Sequence, residues 1–347
     1  MCQTLMEIQA RCDASARKEI LERYGFDDGP VEELEGSSVV LGGSMGGREA
    51  VLKITPAWQR PPRPTIGAEP GQVLAEMDFV RFLAERGLPV ARPLPSRAGL
   101  WAEVLDVGDN ACLVASVTEK AQGMMFPDED LVVFPDEVLR EWGRVQGRLS
   151  LLAEGYVPGR GVPERLPWSC DGHLALEDFL TTPQPRITAL RDSYVSELGS
   201  LPRDPASFGM VHGDFHHGNW FWDGKRLTVF DFDAAHRSWY EIEPATSLYN
   251  CLPMPRSKVE ERRLYALDFL RKYLEGYRQL RPYGAGSILR LPFWLKYIEL
   301  LSYGYLLKNS QPPVSEGRLA LLELYRSRLE GGVPVVEFRE GDLESLC

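Results

Sequence analysis

Apolar and polar positions change rhythm along this chain near Gly123. Before that point, short runs of β-branched and apolar residues alternate with glycine-bearing turns. Across 31–54 the runs VEELEG, SSVVLGG and REAVLKI, the last two separated by SMGG, predict an antiparallel meander. Val73, Met77, Val80 and Leu83 then recur at helical spacing, and Gly87 followed by Pro89 supplies the stop. ARPLP, GLWAEVLDV and ACLVASVTE add extended segments, the last apolar enough for a central strand. After Gly123 helical patterns dominate. Leu139, Trp142, Val145, Leu149 and Leu152 form a stripe over 136–153, and long patterns recur near 258–280, 286–308 and 315–330. Between them Met210 to Ala235 breaks the pattern, reading as a loop and then a hairpin that turns at Asp223-Gly224.

Composition narrows the classes. With 347 residues, 44% hydrophobic and 26% charged, the chain buries one large or two moderate cores without disulfides or structural metals. The amino terminus reads as a polar helix, and no apolar run approaches a membrane span, so export and insertion are not expected and the cytoplasm is. Cys2, Cys12, Cys112, Cys170, Cys251 and Cys347 include no C-x-x-C pair, which fits reduced thiols. A net charge of −11 repels polyanions, which argues against nucleic acid and favours a cationic or neutral small molecule.

The candidate chemistry is concentrated in MVHGDFHHGNWFWDGKRLTVFDFDAA, where His212, Asp214, His216, His217, Asn219, Asp231 and Asp233 lie among aromatic and β-branched residues. Asp214 and Asn219 are five apart on a short loop, and the hairpin folds Asp231 back toward them. Phosphoryl transfer needs such a set: a carboxylate for the attacking hydroxyl and hard oxygen ligands for a divalent cation on the phosphates. One asparagine amide and one aspartate suffice for magnesium, which keeps water and phosphate oxygens for its other positions. The same histidines and aspartates are also credible transition-metal ligands, so a metallohydrolase stands as an alternative. Upstream, REAVLKI places Val51 and Lys53 on one strand face and Ala50, Leu52 and Ile54 on the other. The first face suits a nucleotide, with Val51 against the base and Lys53 on phosphate. Glu76, Asp78 and Glu85 on the following helix are candidate partners for the lysine.

His212-Gly213-Asp214 followed by Asn219, then Asp231-Phe232-Asp233, resembles the catalytic loop and metal-binding segment of the aminoglycoside phosphotransferase and choline kinase superfamily. Order and spacing extend the resemblance over roughly residues 20–310. It implies an α+β, two-lobed, protein-kinase-like fold: a β-rich nucleotide lobe over 1–118, a linker at 119–123 and a helical catalytic and substrate lobe over 124–347. Under the resemblance Asp214 is the catalytic base, Asn219 and Asp231 hold magnesium, and Glu76 pairs with Lys53. The phosphate loop falls at Gly36, Ser37 and Ser38, and adenine is read by backbone at Thr118, Glu119 and Lys120. The implied cofactors are ATP, with GTP left open, and Mg2+.

The implied acceptor is a small-molecule hydroxyl, on an antibiotic such as an aminoglycoside or on a metabolite such as homoserine or choline. A protein hydroxyl and a non-catalytic nucleotide-binding protein on the same fold also stand. Asp233 with Trp239, Tyr240 and Glu241 is the candidate acceptor wall, aromatic and acidic as a cationic ligand would require. Glu243, nearby, reads as a brace for the catalytic loop. A monomer and a homodimer are equally compatible with the sequence.

Overall fold

The computed structural model describes residues 5–34, 38–61, 65–66, 69–126, 133–252, 258–310 and 314–347. Two of the three expected phosphate-loop residues, Gly36 and Ser37, lie outside them; Ser38 forms a bend just before a strand. The chain divides into two compact units. One gathers Met1–Met125 with Gly155–Leu166 and Asn219–His236, and the other Phe126–Glu154, Pro167–Gly218 and Arg237–Cys347. The hairpin that turns at Asp223-Gly224 therefore groups with the first unit, and the loop that precedes it with the second.

The first unit opens with helices α1 (Leu5–Gln9) and α2 (Ala14–Tyr24) and is built on an antiparallel sheet. Its strands are β1 (Glu32–Leu34), β2 (Val39–Met45), β3 (Arg48–Trp58), β4 (Pro93–Leu94), β5 (Glu103–Gly108) and β6 (Ala111–Glu119). The order is β1-β2-β3-β6-β4, with β5 also paired to β6. Strict alternation in the two longest strands gives the sheet two apolar faces. Ala50, Leu52 and Ile54 join Leu113, Ala115 and Val117 beneath Ala16, Ile20 and Tyr24 of α2. On the other face Ala57, Cys112 and Val114 meet Val73 of α3 (Pro70–Glu85). Of GGSMGG, the first four residues belong to β2 and Gly46-Gly47 form the hairpin turn to β3. Gly46 and Gly47 have positive φ, and their N–H groups donate to Asp27, which fixes the β2–β3 register.

The second unit is helical. Its largest close contact is between α4 (Asp136–Ala153) and α7 (Val259–Tyr277), where Gly143 and Gly147 face the backbone of Tyr273 and Tyr277, and Gly276 faces that of Arg140. No side chain larger than hydrogen fits at these positions. Trp142 on α4 is ringed edge-to-face by Phe134, Phe215, Phe269 and Tyr273. The expected helices at 136–153, 258–280, 286–308 and 315–330 are present, the last three as α7, α9 (Leu291–Lys308) and α10 (Glu316–Glu330). Helices α5 (Pro185–Ser200) and α6 (Ile242–Tyr249), and the single turn α8 (Ala285–Leu289), were not separately anticipated. Among the described residues no helix is long and apolar enough to cross a membrane, and the five described cysteines are free.

Candidate active site

In the first unit the hairpin of β8 (Trp220–Trp222) and β9 (Leu227–Val229) turns at Asp223-Gly224 as expected, pairing Trp220 with Val229. The Phe230 N–H donates to the Asn219 carbonyl at 3.0 Å, so Asn219 and Asp231 emerge side by side from the open end. Phe232 is buried and packs edge-on against Phe79 of α3. Its burial directs the residues on either side, Asp231 and Asp233, the other way, toward the sheet. Asp231 is held at φ +60, a left-handed conformation uncommon outside glycine.

Lys53 meets both carboxylates: Nζ lies 2.6 Å from Asp231 Oδ1 and 2.8 Å from Asp233 Oδ2. Burial alone lowers its affinity for the proton, but the charges of Asp233, Asp231 and Glu76 more than offset this, so the ammonium is held above its ordinary range. Val51 shares that partly exposed face, while Ala50, Leu52 and Ile54 are buried.

Glu76 lies in the predicted helix, and its charge acts on Lys53, but its nearest ion pair is with Arg165, at 3.9 Å. Burial raises the Glu76 carboxyl to about 7 against the opposing pull of Arg165 and Lys53. The alternatives are committed elsewhere: Asp78 accepts from Arg81, Tyr156 and Gly159, and Glu85 pairs with Arg81. Arg165 was missed because nothing in PERLPW marks an arginine for burial.

The adenine segment differs from expectation. Strand β6 continues through Glu119, with Thr118 paired to Val51, so the irregular backbone starts at Lys120. The N–H groups of Glu119 and Lys120 donate to the carbonyls of Arg92 and Glu49, at 2.8 and 3.0 Å. Those two donors serve the sheet rather than a nucleotide base.

In the second unit β7 (Phe208–Val211) leads into the loop that bears Asp214. Gly213 has φ +81, and its N–H donates to Glu243 Oε1 at 2.8 Å. The Asp214 N–H donates to His212 Nδ1 at 3.3 Å, and the His212 ring stacks on Phe215. Ser247 Oγ–H donates to the Phe215 carbonyl at 2.7 Å. Glu243 therefore braces the loop as expected. Burial raises its carboxyl to about 7, opposed by the Gly213 N–H and the Gln146 side chain and reinforced by the charge of Asp214. His216 Nδ1 accepts from the Gly218 N–H at 3.0 Å, which leaves Nε2 as the protonated nitrogen of the neutral ring, 3.4 Å from Asp214 Oδ2. His217 is buried against Phe134 and Cys251.

The acceptor wall needs correction. Trp239 and Tyr240 are 3% and 2% exposed. The Trp239 indole N–H donates to the Pro202 carbonyl, and the Tyr240 ring lies under the Arg281 guanidinium. Glu241 accepts from Ser287, Arg290 and Trp294. All three are spent on internal packing, because an aromatic-rich segment beside a buried loop was available to the core. Among the described residues no three histidine, cysteine, aspartate or glutamate side chains group as a metal site.

The donors that do converge fit a hard divalent cation with a phosphate chain. Two carboxylates already share a cation, Lys53, and the Asn219 main chain is hydrogen-bonded at the same hairpin end. A small antiparallel sheet bearing a lysine held between two carboxylates, with a His-x-Asp loop and an Asp-Phe-Asp segment, defines a phosphotransferase of the protein-kinase-like class. The chain belongs to the phosphotransferase enzyme family (APH), whose model matches residues 35–283, and it is a small-molecule phosphotransferase. Amicoumacin kinase of Bacillus subtilis (strain 168) is 28% identical over 322 residues, 92% of this chain and 93% of that protein. A solved amicoumacin kinase in complex with AMP-PNP, Ca2+ and Ami has a TM-score of 0.87 at 25% identity, covering 99% of each chain. Homoserine kinase of Caulobacter vibrioides (strain NA1000 / CB15N) is 28% identical over 180 residues, 50% of this chain and 52% of that protein.

Proposed function

We propose that this protein transfers the γ-phosphoryl group of ATP, taken with a magnesium ion, to a hydroxyl of a small molecule of the amicoumacin type. The observation that carries the reading is the cluster in which Lys53 is held between Asp231 and Asp233 beside Asn219. End-to-end similarity to amicoumacin kinase, against half-length similarity to homoserine kinase, supports such a molecule as first acceptor. The negative surface, with a net charge of −11, favours a cationic molecule.

In this reading Lys53 leaves its carboxylates to bind phosphate oxygens, and Asn219 and Asp231 hold the cation, with Asp233 beside them. The cation supplies charge neutralisation on the phosphates. Val51 packs against the base, and Ser38 lies next to the segment expected over the phosphates. The Asp214 carboxylate would accept a hydrogen bond from the acceptor hydroxyl and take its proton as the new P–O bond forms and the bond from the γ-phosphorus to the bridging oxygen breaks, releasing ADP. His212, Gly213 and Glu243 fix the backbone from which it acts.

The test is incubation of the purified protein with ATP, magnesium and single acceptors: amicoumacin, an aminoglycoside, homoserine and choline. Mass spectrometry should record the gain of one phosphoryl group on amicoumacin and an equal amount of ADP. Phosphorylation of homoserine alone would move the reading to a metabolite kinase. No transfer to any acceptor, together with no AMP-PNP binding, would refute it.

A further inference from the structure

Arg165 is a fully buried charge of the first unit that the chemistry above does not use. It is 2% exposed, and desolvation pushes its guanidinium below the ordinary range despite the opposing charges of Glu76 and Asp233. Its three nitrogens donate to three backbone carbonyls on two separate elements. Nε donates to Ala235 at 2.5 Å, Nη2 to Asp233, and Nη1 to Gln72 at the start of α3. Its carboxylate neighbour is Glu76, one turn further along the same helix.

The segment bearing Arg165, Gly155–Leu166, runs along α3 as a strap. Asp78 accepts from the Tyr156 hydroxyl at 2.9 Å and the Gly159 N–H at 3.0 Å. At the other end Gln72 Oε1 accepts from the Leu166 N–H, and its amide donates to the Glu164 carbonyl. Tyr156 also packs on Phe79 and Phe82. A strap this well anchored delivers the guanidinium to one place. There it ties the carbonyl of Asp233, and the turn after it, to the helix that bears Glu76.

Resting on the phosphotransferase reading above, we propose that Arg165 is a positioning residue for nucleotide and cation. It fixes the Asp231–Asp233 segment against α3, the helix that bears Glu76. Two cations, Lys53 and Arg165, here face three carboxylates, Glu76, Asp231 and Asp233. Without Arg165 the backbone beyond Asp231 loses its tie to the helix. Lysine is no substitute, since one ammonium cannot span three carbonyls held by a planar fork.

The experiment measures AMP-PNP binding with magnesium by titration calorimetry, in the absence of acceptor, for the full chain and for Arg165→Met and Arg165→Lys. Wild-type binding is expected, and both variants should bind about 10- to 100-fold more weakly, the range seen when a residue supporting metal ligands is lost. The KM for acceptor should remain within about twofold, because every contact of Arg165 lies in the nucleotide-binding unit. A role confined to stability would lower the folded fraction and leave the dissociation constant of the folded remainder unchanged, which overturns the proposal. Should Arg165→Met fail to fold, Arg165→Lys keeps the buried charge, and its binding AMP-PNP as tightly as wild type would equally overturn it. A wild-type protein that binds no AMP-PNP strikes instead at the phosphotransferase reading.

Discussion

Replacing Glu243 with glutamine tests the account of the catalytic-loop brace through its dependence on pH. Glutamine keeps the size of the side chain and the oxygen that accepts from the Gly213 N–H, and removes only the titration. In the folded protein the Glu243 carboxyl is raised from an ordinary 4.5 to about 7. A raised carboxyl binds its proton more tightly folded than unfolded, so its contribution to stability is complete below 4.5 and is lost as pH rises through 7. At 1.36 kcal/mol per tenfold change in proton affinity, the loss between pH 5 and pH 8 amounts to about 2–3 kcal/mol. Glu76 titrates in the same window, but it does so in both proteins and cancels in the difference. Urea unfolding of wild type and Glu243→Gln at the two pH values should therefore show the variant gaining about 2–3 kcal/mol relative to wild type at the higher pH. Parallel pH profiles would refute the reasoning, because they would mean that Glu243 is ionised in the folded protein throughout.

Other consequences are accessible to simpler assays. Asp214→Asn should lower kcat by about 100-fold or more while AMP-PNP binding, measured by calorimetry, stays within about twofold. Lys53→Met removes the cation that Asp231 and Asp233 now share, so it should bind Mn2+ alone about tenfold more tightly, by electron paramagnetic resonance, while losing affinity for AMP-PNP. Asp231→Ala must hold alanine at φ +60 and should be less stable than Asp231→Asn by about 1 kcal/mol in thermal unfolding. Gly143→Ala would drive a methyl group into the Tyr273 carbonyl, and should destabilise the helical unit by about 1–3 kcal/mol.

The parts of this molecule legible in the sequence are those set by local chemistry. Alternation in REAVLKI gave the face of Lys53 because one face of the strand is buried and the other partly exposed, which fixes which residues point inward. The Asp223-Gly224 turn gave the hairpin register, and with it the meeting of Asn219 and Asp231. Helix α5 escaped because Ile187 and Leu198 are its only fully buried residues, too thin a stripe to register as a period. Helix α6 escaped for the opposite reason: buried on every side, it has no polar face to set a period. Arg165 was illegible in principle. Its carbonyl partners lie about 70 and 90 positions away, and backbone carbonyls carry no sequence signature. Trp239 and Tyr240 misled because aromatic residues beside a functional loop look alike whether they face a ligand or pack beneath it.

A common design links the two halves of the chemistry. In each unit the fold grips the main chain on either side of the working carboxylate. Around Asp214 the grip is Glu243 on the Gly213 N–H, His212 on the N–H of Asp214 itself and Ser247 on the Phe215 carbonyl. Around Asp231 it is Asn219 on the Phe230 N–H, the burial of Phe232 and Arg165 on the carbonyls of Asp233 and Ala235. Gripping the backbone fixes the position of a carboxylate without using its oxygens, which can then exchange partners, as Asp231 must if Lys53 is to move to phosphate. It also places the supporting residues, Glu243 and Arg165, in dry surroundings where their hydrogen bonds are strong and their own ionisation is strained. The perturbed titrations of those two groups are thus a consequence of holding the loops, and their loss should register first in the placement of Asp214 and Asp231.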